Sequence, residues 1–107
     1  MRYLANGFSP SMISSNDAVL LIKRIDSEQF CEEVKAGNII NAIGHEATVQ
    51  FINELCGTTF TKNRIEIKLK ENDQLFIVSL TKRIEEGKVL SKEEMKQITA
   101  FYYAQVM

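Results

Sequence analysis

The stretch Ile39-Ile40-Asn41-Ala42-Ile43-Gly44-His45-Glu46-Ala47-Thr48, continued to Gly57, changes its hydrophobic period part-way along. Its first half is a short apolar run bounded by Gly44, the pattern of a covered strand. From His45 onward, Ala47, Phe51, Ile52, Leu55 and Cys56 recur at helical spacing, and Gly57 is a natural C-terminal stop. A strand therefore runs into a helix at Gly44-His45, with His45 in the helix's first turn. Junctions of this kind build a sheet with helices packed on it.

The flanking sequence extends that plan. Upstream, Tyr3-Leu4-Ala5 and Ala18-Val19-Leu20-Leu21-Ile22 read as strands, the second nearly continuous, as in a strand covered on both faces. Between them lies a polar loop, residues 7–17. Asp26 and Gln29 have the spacing of a capping box, opening a helix whose apolar stripe is Phe30, Cys31 and Val34 and which Gly37 closes. Downstream, Arg64-Ile65-Glu66-Ile67-Lys68-Leu69-Lys70 alternates polar and apolar residues, as a strand with one wet face does. Glu71-Asn72-Asp73 would turn it into a second strand, residues 75–80, to form a hairpin. Ser91 and Glu94 form another capping box for a short helix ending near Ile98, and residues 101–106 read as a closing strand. The expected fold is α/β, of mixed α+β type: a single compact domain, residues 1–107, with a mixed, largely parallel sheet of about five strands flanked by helices.

Composition narrows the setting. A chain of 107 residues suits one domain, since this size buries roughly 60 to 68% of the surface its unfolded form exposes. Thirteen basic against 14 acidic residues give a formal charge of −1, which argues against a protein that tracks a long phosphate backbone. A small anionic ligand needs only a local cluster of charge. Nothing in the opening residues reads as a secretory signal. The longest apolar runs are five residues, far below the roughly 20 that span a bilayer. A soluble, cytoplasmic protein without membrane contact is expected. Cys31 and Cys56 form no C-x-x-C pattern and meet no second histidine, so the reading is buried free thiols and no metal site or cofactor.

The chemistry-bearing candidates are few. His45 is the only histidine, and imidazole is the side chain that most readily exchanges protons near neutral pH. A packed or surface histidine is the plain alternative. The loop Thr81-Lys82-Arg83-Ile84-Glu85-Glu86-Gly87-Lys88 carries both signs of charge. Arg83 can hold a phosphate through its planar fork of donors, and Glu86 can orient an imidazolium or a ribose hydroxyl. A solvated loop is the alternative there.

Five segments then carry a resemblance. They are Leu4-Ala5-Asn6-Gly7-Phe8-Ser9, Ile43-Gly44-His45-Glu46-Ala47-Thr48, Leu55-Cys56-Gly57-Thr58, Lys62-Asn63-Arg64-Ile65-Glu66-Ile67-Lys68 and Arg83-Ile84-Glu85-Glu86-Gly87-Lys88. In this order, over nearly the whole chain, they resemble the type III anti-CRISPR ring nuclease family of viruses, phages and mobile elements, which takes in the archaeal-virus B116-like proteins. The resemblance implies a homodimer that binds cyclic tetra-adenylate and cuts it, without metal, into linear di-adenylates. It implies His45 as the catalytic residue with Glu86 and Arg83 in support, and Asn6, Ser9, Gly44, Arg64 and Ser79 as ligand-binding positions. Ser79 departs from the pattern, since many relatives place a longer polar residue there, often glutamine.

The residue types suit that chemistry. An RNA phosphodiester contains its own nucleophile, the ribose 2′-hydroxyl, and cleavage to a 2′,3′-cyclic phosphate needs alignment, charge neutralisation and a proton for the departing 5′-oxygen. His45 would donate that proton, and Glu86 would stabilise its imidazolium. Two other functions fit the sequence: a module that sequesters a cyclic oligonucleotide without cutting it, and a mobile-element protein that grips a host protein. Phe101, Tyr102 and Tyr103 would offer the latter an apolar surface, or serve dimerisation for stability alone.

Overall fold

A computed structural model describes residues 1–82 and 90–107 of the chain. Strands β1 (Arg2–Ala5), β2 (Leu20–Ile25), β3 (Ile39–Asn41), β4 (Gln74–Leu80) and β5 (Thr99–Val106) form one sheet in the order β2-β5-β4-β1-β3. Parallel pairing joins β1 to β3 and to β4; antiparallel pairing joins β5 to β4 and to β2. The sheet is thus mixed, as the alternation of strands and helices implies, and evenly divided between the two pairings rather than largely parallel. Helices α1 (Ser27–Lys35), α2 (Glu46–Cys56) and α3 (Lys92–Gln97) complete a single mixed α+β domain. None of the described helices is long and apolar enough to cross a membrane.

Local signals place the helices. Asp26 Oδ1 accepts the Gln29 N–H at 2.8 Å while Gln29 Oε1 accepts the Asp26 N–H, and Ser91 and Glu94 form the equivalent pair on α3. Each box satisfies two donors that a helix start otherwise leaves open. Gly57 ends α2 in the left-handed region at φ 69°, with its N–H bonded to Asn53 O. At the end of α1, Gly37 takes φ 89°, and Arg2 donates to the carbonyls of Glu33 (2.9 Å) and Gly37 (2.6 Å). A side chain from the first strand thereby caps the first helix.

Strand pleating splits the core in two. On β4, Phe76 and Val78 face the helices with Phe30, Val34, Ile43, Phe51 and Ile52, while Leu75 and Ile77 face the opposite side. Phe30 and Phe101 rings meet at 4.6 Å, a contact worth about 0.5–1.5 kcal/mol beyond its buried area. Helices cover one face only. The other is sealed by Phe8, Met12, Ile13, Ile67 and Leu69.

That covering corrects the hairpin expectation. Residues 64–70 do not pair with β4, whose two neighbours are β1 and β5; only Leu69 makes an isolated bridge, to Ile13. Their alternation reflects one buried stripe, Ile67 and Leu69, laid over the sheet's face. Burial and backbone pairing are separate demands, and here only the first is met.

Three further expectations change. β2 is not a strand covered on both faces: it is the sheet's edge, it runs over Leu20–Ile25, and Leu21 and Ile22 are exposed, because β5 pairs along one side only. Residues 101–103 do not form one exposed apolar surface: on the interior strand β5, Phe101 is buried and Tyr102 and Tyr103 are half-buried. The cysteines are not free thiols. Cys31 on α1 and Cys56 at the end of α2 form a disulfide, since helix packing brings together two positions that no short motif links.

Candidate functional site

The carboxyl ends of the parallel strands converge at one place, where open α/β sheets commonly receive ligands. Asn6 follows β1, Val78, Ser79 and Leu80 end β4, and the segment after β3 leads through Gly44 to α2. Between them opens a cavity of about 490 Å³ lined by Asn6, His45, Ala47, Thr48, Val78, Ser79 and Leu80. One wall is apolar and supplied by the β4 end and Ala47. The rest is polar.

His45 is the N-cap of α2 rather than a residue of its first turn, and its side chain makes no capping bond. The first backbone bond of α2 runs from the Val49 N–H to His45 O at 3.1 Å. The N–H groups of Glu46, Ala47 and Thr48 therefore precede the helical ladder, and the positive end of the helix dipole lies at the cavity. Oriented donors of this kind hold anions.

The side chains repeat the theme. Among the described residues, those of Asn6, His45, Thr48 and Ser79 take part in no hydrogen bond. For His45 and Asn6, which are exposed, water meets the need. Thr48 is different: the residue as a whole is only 8% exposed, yet its hydroxyl, with no partner among the described residues, keeps access to solvent. A hydroxyl that keeps its open side at the cavity, on a residue otherwise enclosed, can serve a ligand there.

The expected site residues separate into three sets. His45, Asn6 and Ser79 line the cavity, while Gly44, which precedes His45 in the chain, does not. Arg64 packs over Gly44, and Ser9 pairs its hydroxyl with Ser11 at 3.0 Å on an exposed loop; neither lines the cavity. Arg83 and Glu86 lie outside the described residues. Thr48 is the lining residue that the sequence reading passed over. Its signal was its place, third in a helix whose cap leaves the first amides open.

Comparison with known proteins gives consistent results. A family model described as STIV B116-like matches residues 2–103. The chain is similar to protein ORF116 of Acidianus filamentous virus 1, 41% identical over 97% of this chain and 94% of that one. It is also similar to protein 26 of Sulfolobus islandicus filamentous virus, 32% identical over 92% of this chain and 84% of that one. Among solved structures, B116 of Sulfolobus turreted icosahedral virus superposes with a TM-score of 0.86 at 38% identity, covering 96% of this chain and 97% of that one.

Proposed function

The chain belongs to the STIV B116-like family of archaeal-virus proteins, and from that premise we propose that it is a ring nuclease that binds cyclic tetra-adenylate and cuts it to linear di-adenylates. Such an activity would silence type III CRISPR signalling by destroying its messenger. One observation carries most of the support. A cavity at the carboxyl ends of β1 and β4 lies at the start of α2, whose first amides are open, and is lined by four polar side chains, Asn6, His45, Thr48 and Ser79, that have no partner among the described residues. A phosphodiester flanked by ribose hydroxyls supplies both the anion and the polar groups this lining needs. The apolar wall of Ala47, Val78 and Leu80 suits a base or sugar face.

In the proposed reaction the ribose 2′-oxygen attacks the adjacent phosphorus while the bond from phosphorus to the 5′-oxygen breaks. The 2′-hydroxyl proton passes to solvent, and His45, as imidazolium, protonates the departing 5′-oxygen. The products are a 2′,3′-cyclic phosphate and a free 5′-hydroxyl. A positioned acid of this kind contributes about 10²- to 10⁴-fold. Amides at the start of α2 offset charge on the phosphate, and Arg83 and Glu86 take the supporting roles that the family resemblance implies. Two copies related by a two-fold axis would present two such sites to a ring of four repeats, each delivering one His45.

Incubating the protein with cyclic tetra-adenylate in EDTA, then separating products by chromatography, tests the proposal. Di-adenylates should form, and His45→Ala should bind the ring while cutting it about 10²- to 10⁴-fold more slowly. Tight binding by the wild type with no product would replace cleavage by sequestration. Absence of both would end the reading.

A further inference from the structure

We infer that Asn41 is a positioning residue for His45, acting through the turn that joins β3 to α2. The inference rests on His45 being the reacting group of the proposed function, and it adds a residue that touches neither cavity nor ligand. Asn41 is the last residue of β3 and only 8% exposed. Its side-chain Oδ1 accepts the Ile43 N–H at 3.1 Å, and its Nδ2 donates to Thr61 O at 2.7 Å. The two partners force the amide orientation, since one offers only a donor and the other only an acceptor.

Asn63 completes the clamp from the other side. Its N–H donates to Ile43 O at 2.8 Å, and its Nδ2 donates to Asn41 O at 2.9 Å. Ile43 is consequently held at every handle it has. Its side chain is fully buried in the helix-side core, its N–H belongs to Asn41, and its carbonyl belongs to Asn63. Two residues later comes His45, whose own side chain makes no hydrogen bond among the described residues. The place of the imidazole depends first on its backbone, and the approach of that backbone is set by the Asn41 and Asn63 bonds.

The arrangement has a mechanistic reason. Proton donation to a leaving oxygen needs the donor within hydrogen-bond reach in the transition state, and a misplacement of about 1 Å can cost about 10²-fold. Asn41 carries no charge and reaches no substrate, so its contribution is expected in the chemical step and not in ring binding.

Asn41→Leu, of similar volume, removes both side-chain bonds. Backbone relaxation should show residues 44 and 45 passing from an order parameter near the rigid value of about 0.85 toward the flexible range below about 0.6. With cyclic tetra-adenylate, kcat should fall by about 10²-fold while KM stays nearly constant. Unchanged order at residues 44 and 45 in the folded variant would overturn the inference, as would retention of kcat. If Asn41→Leu does not fold, Asn41→Ala decides by the same two readouts, because it removes the same two side-chain bonds without adding an apolar branch. Should the wild type fail to cut the ring, the nuclease reading falls, while the relaxation measurement still tells whether Asn41 sets the place of His45.

Discussion

Arg64 lies so close over Gly44 that a β-carbon at residue 44 would meet its Nε at 2.9 Å and its Cβ at 3.1 Å. The glycine is required by this approach and not by its backbone angles, which lie outside the left-handed region. Gly44→Ala must push Arg64 aside at its root, where the side chain is least free to move. The expected cost is about 1–3 kcal/mol of stability, with cleavage reduced through displacement of His45. Arg64→Ala in the same molecule should restore part of that stability, since it removes the Nε contact and leaves the Cβ contact. A double-mutant cycle by denaturant unfolding checks the coupling; additive effects would mean that the contact is not the cause.

Thr48 separates binding from folding. The residue is largely enclosed, but its hydroxyl is open to the cavity and bonds to no group among the described residues, so Thr48→Val removes a polar atom while preserving shape. Stability in urea should change by less than about 1 kcal/mol, because no bond within the protein is broken. Affinity for cyclic tetra-adenylate should fall about tenfold, the worth of one hydrogen bond of about 1.4 kcal/mol. A variant that loses stability and keeps affinity would refute this assignment.

The Cys31–Cys56 disulfide closes a loop with a sequence separation of 25. Chain-entropy arguments assign such a crosslink about 3.5 kcal/mol. Reduction with dithiothreitol should therefore lower the melting temperature by roughly 15 to 25 °C for a domain of this size. Cleavage at 25 °C should persist, since the bond ties the far end of α2 to α1 and the cavity lies at its opposite end. Calorimetry and a product assay on the same reduced sample would check both halves.

How much of this was legible from residues alone follows the range of each interaction. The capping boxes at Asp26 and Ser91 and the stop at Gly57 are contacts within four residues of chain, and each stands where the sequence reading put it. The strand-to-helix junction at Gly44-His45 was equally plain, because a change of hydrophobic period is itself local. That junction also led to the cavity, since the end of a parallel strand and the start of the next helix meet wherever such a sheet forms.

Other features depend on partners remote in sequence. Ile65, Ile67 and Leu69 alternate as a strand does, yet β1 and β5 already flank β4, so Ile67 and Leu69 cover a face instead while Ile65 stays exposed. Cys31 and Cys56 become a pair only when α1 and α2 pack. Asn41, an ordinary strand-end asparagine in the sequence, becomes the hub of the turn only once Thr61 and Asn63 return beside it. The sequence by itself determined the helices, their caps and the histidine at the head of α2, because those depend on neighbouring residues and on periodicity. Tertiary structure decided which strands pair, which thiols join and which hydroxyl is left open to a ligand, because each of these is a competition among distant segments for the same space and the same hydrogen bonds.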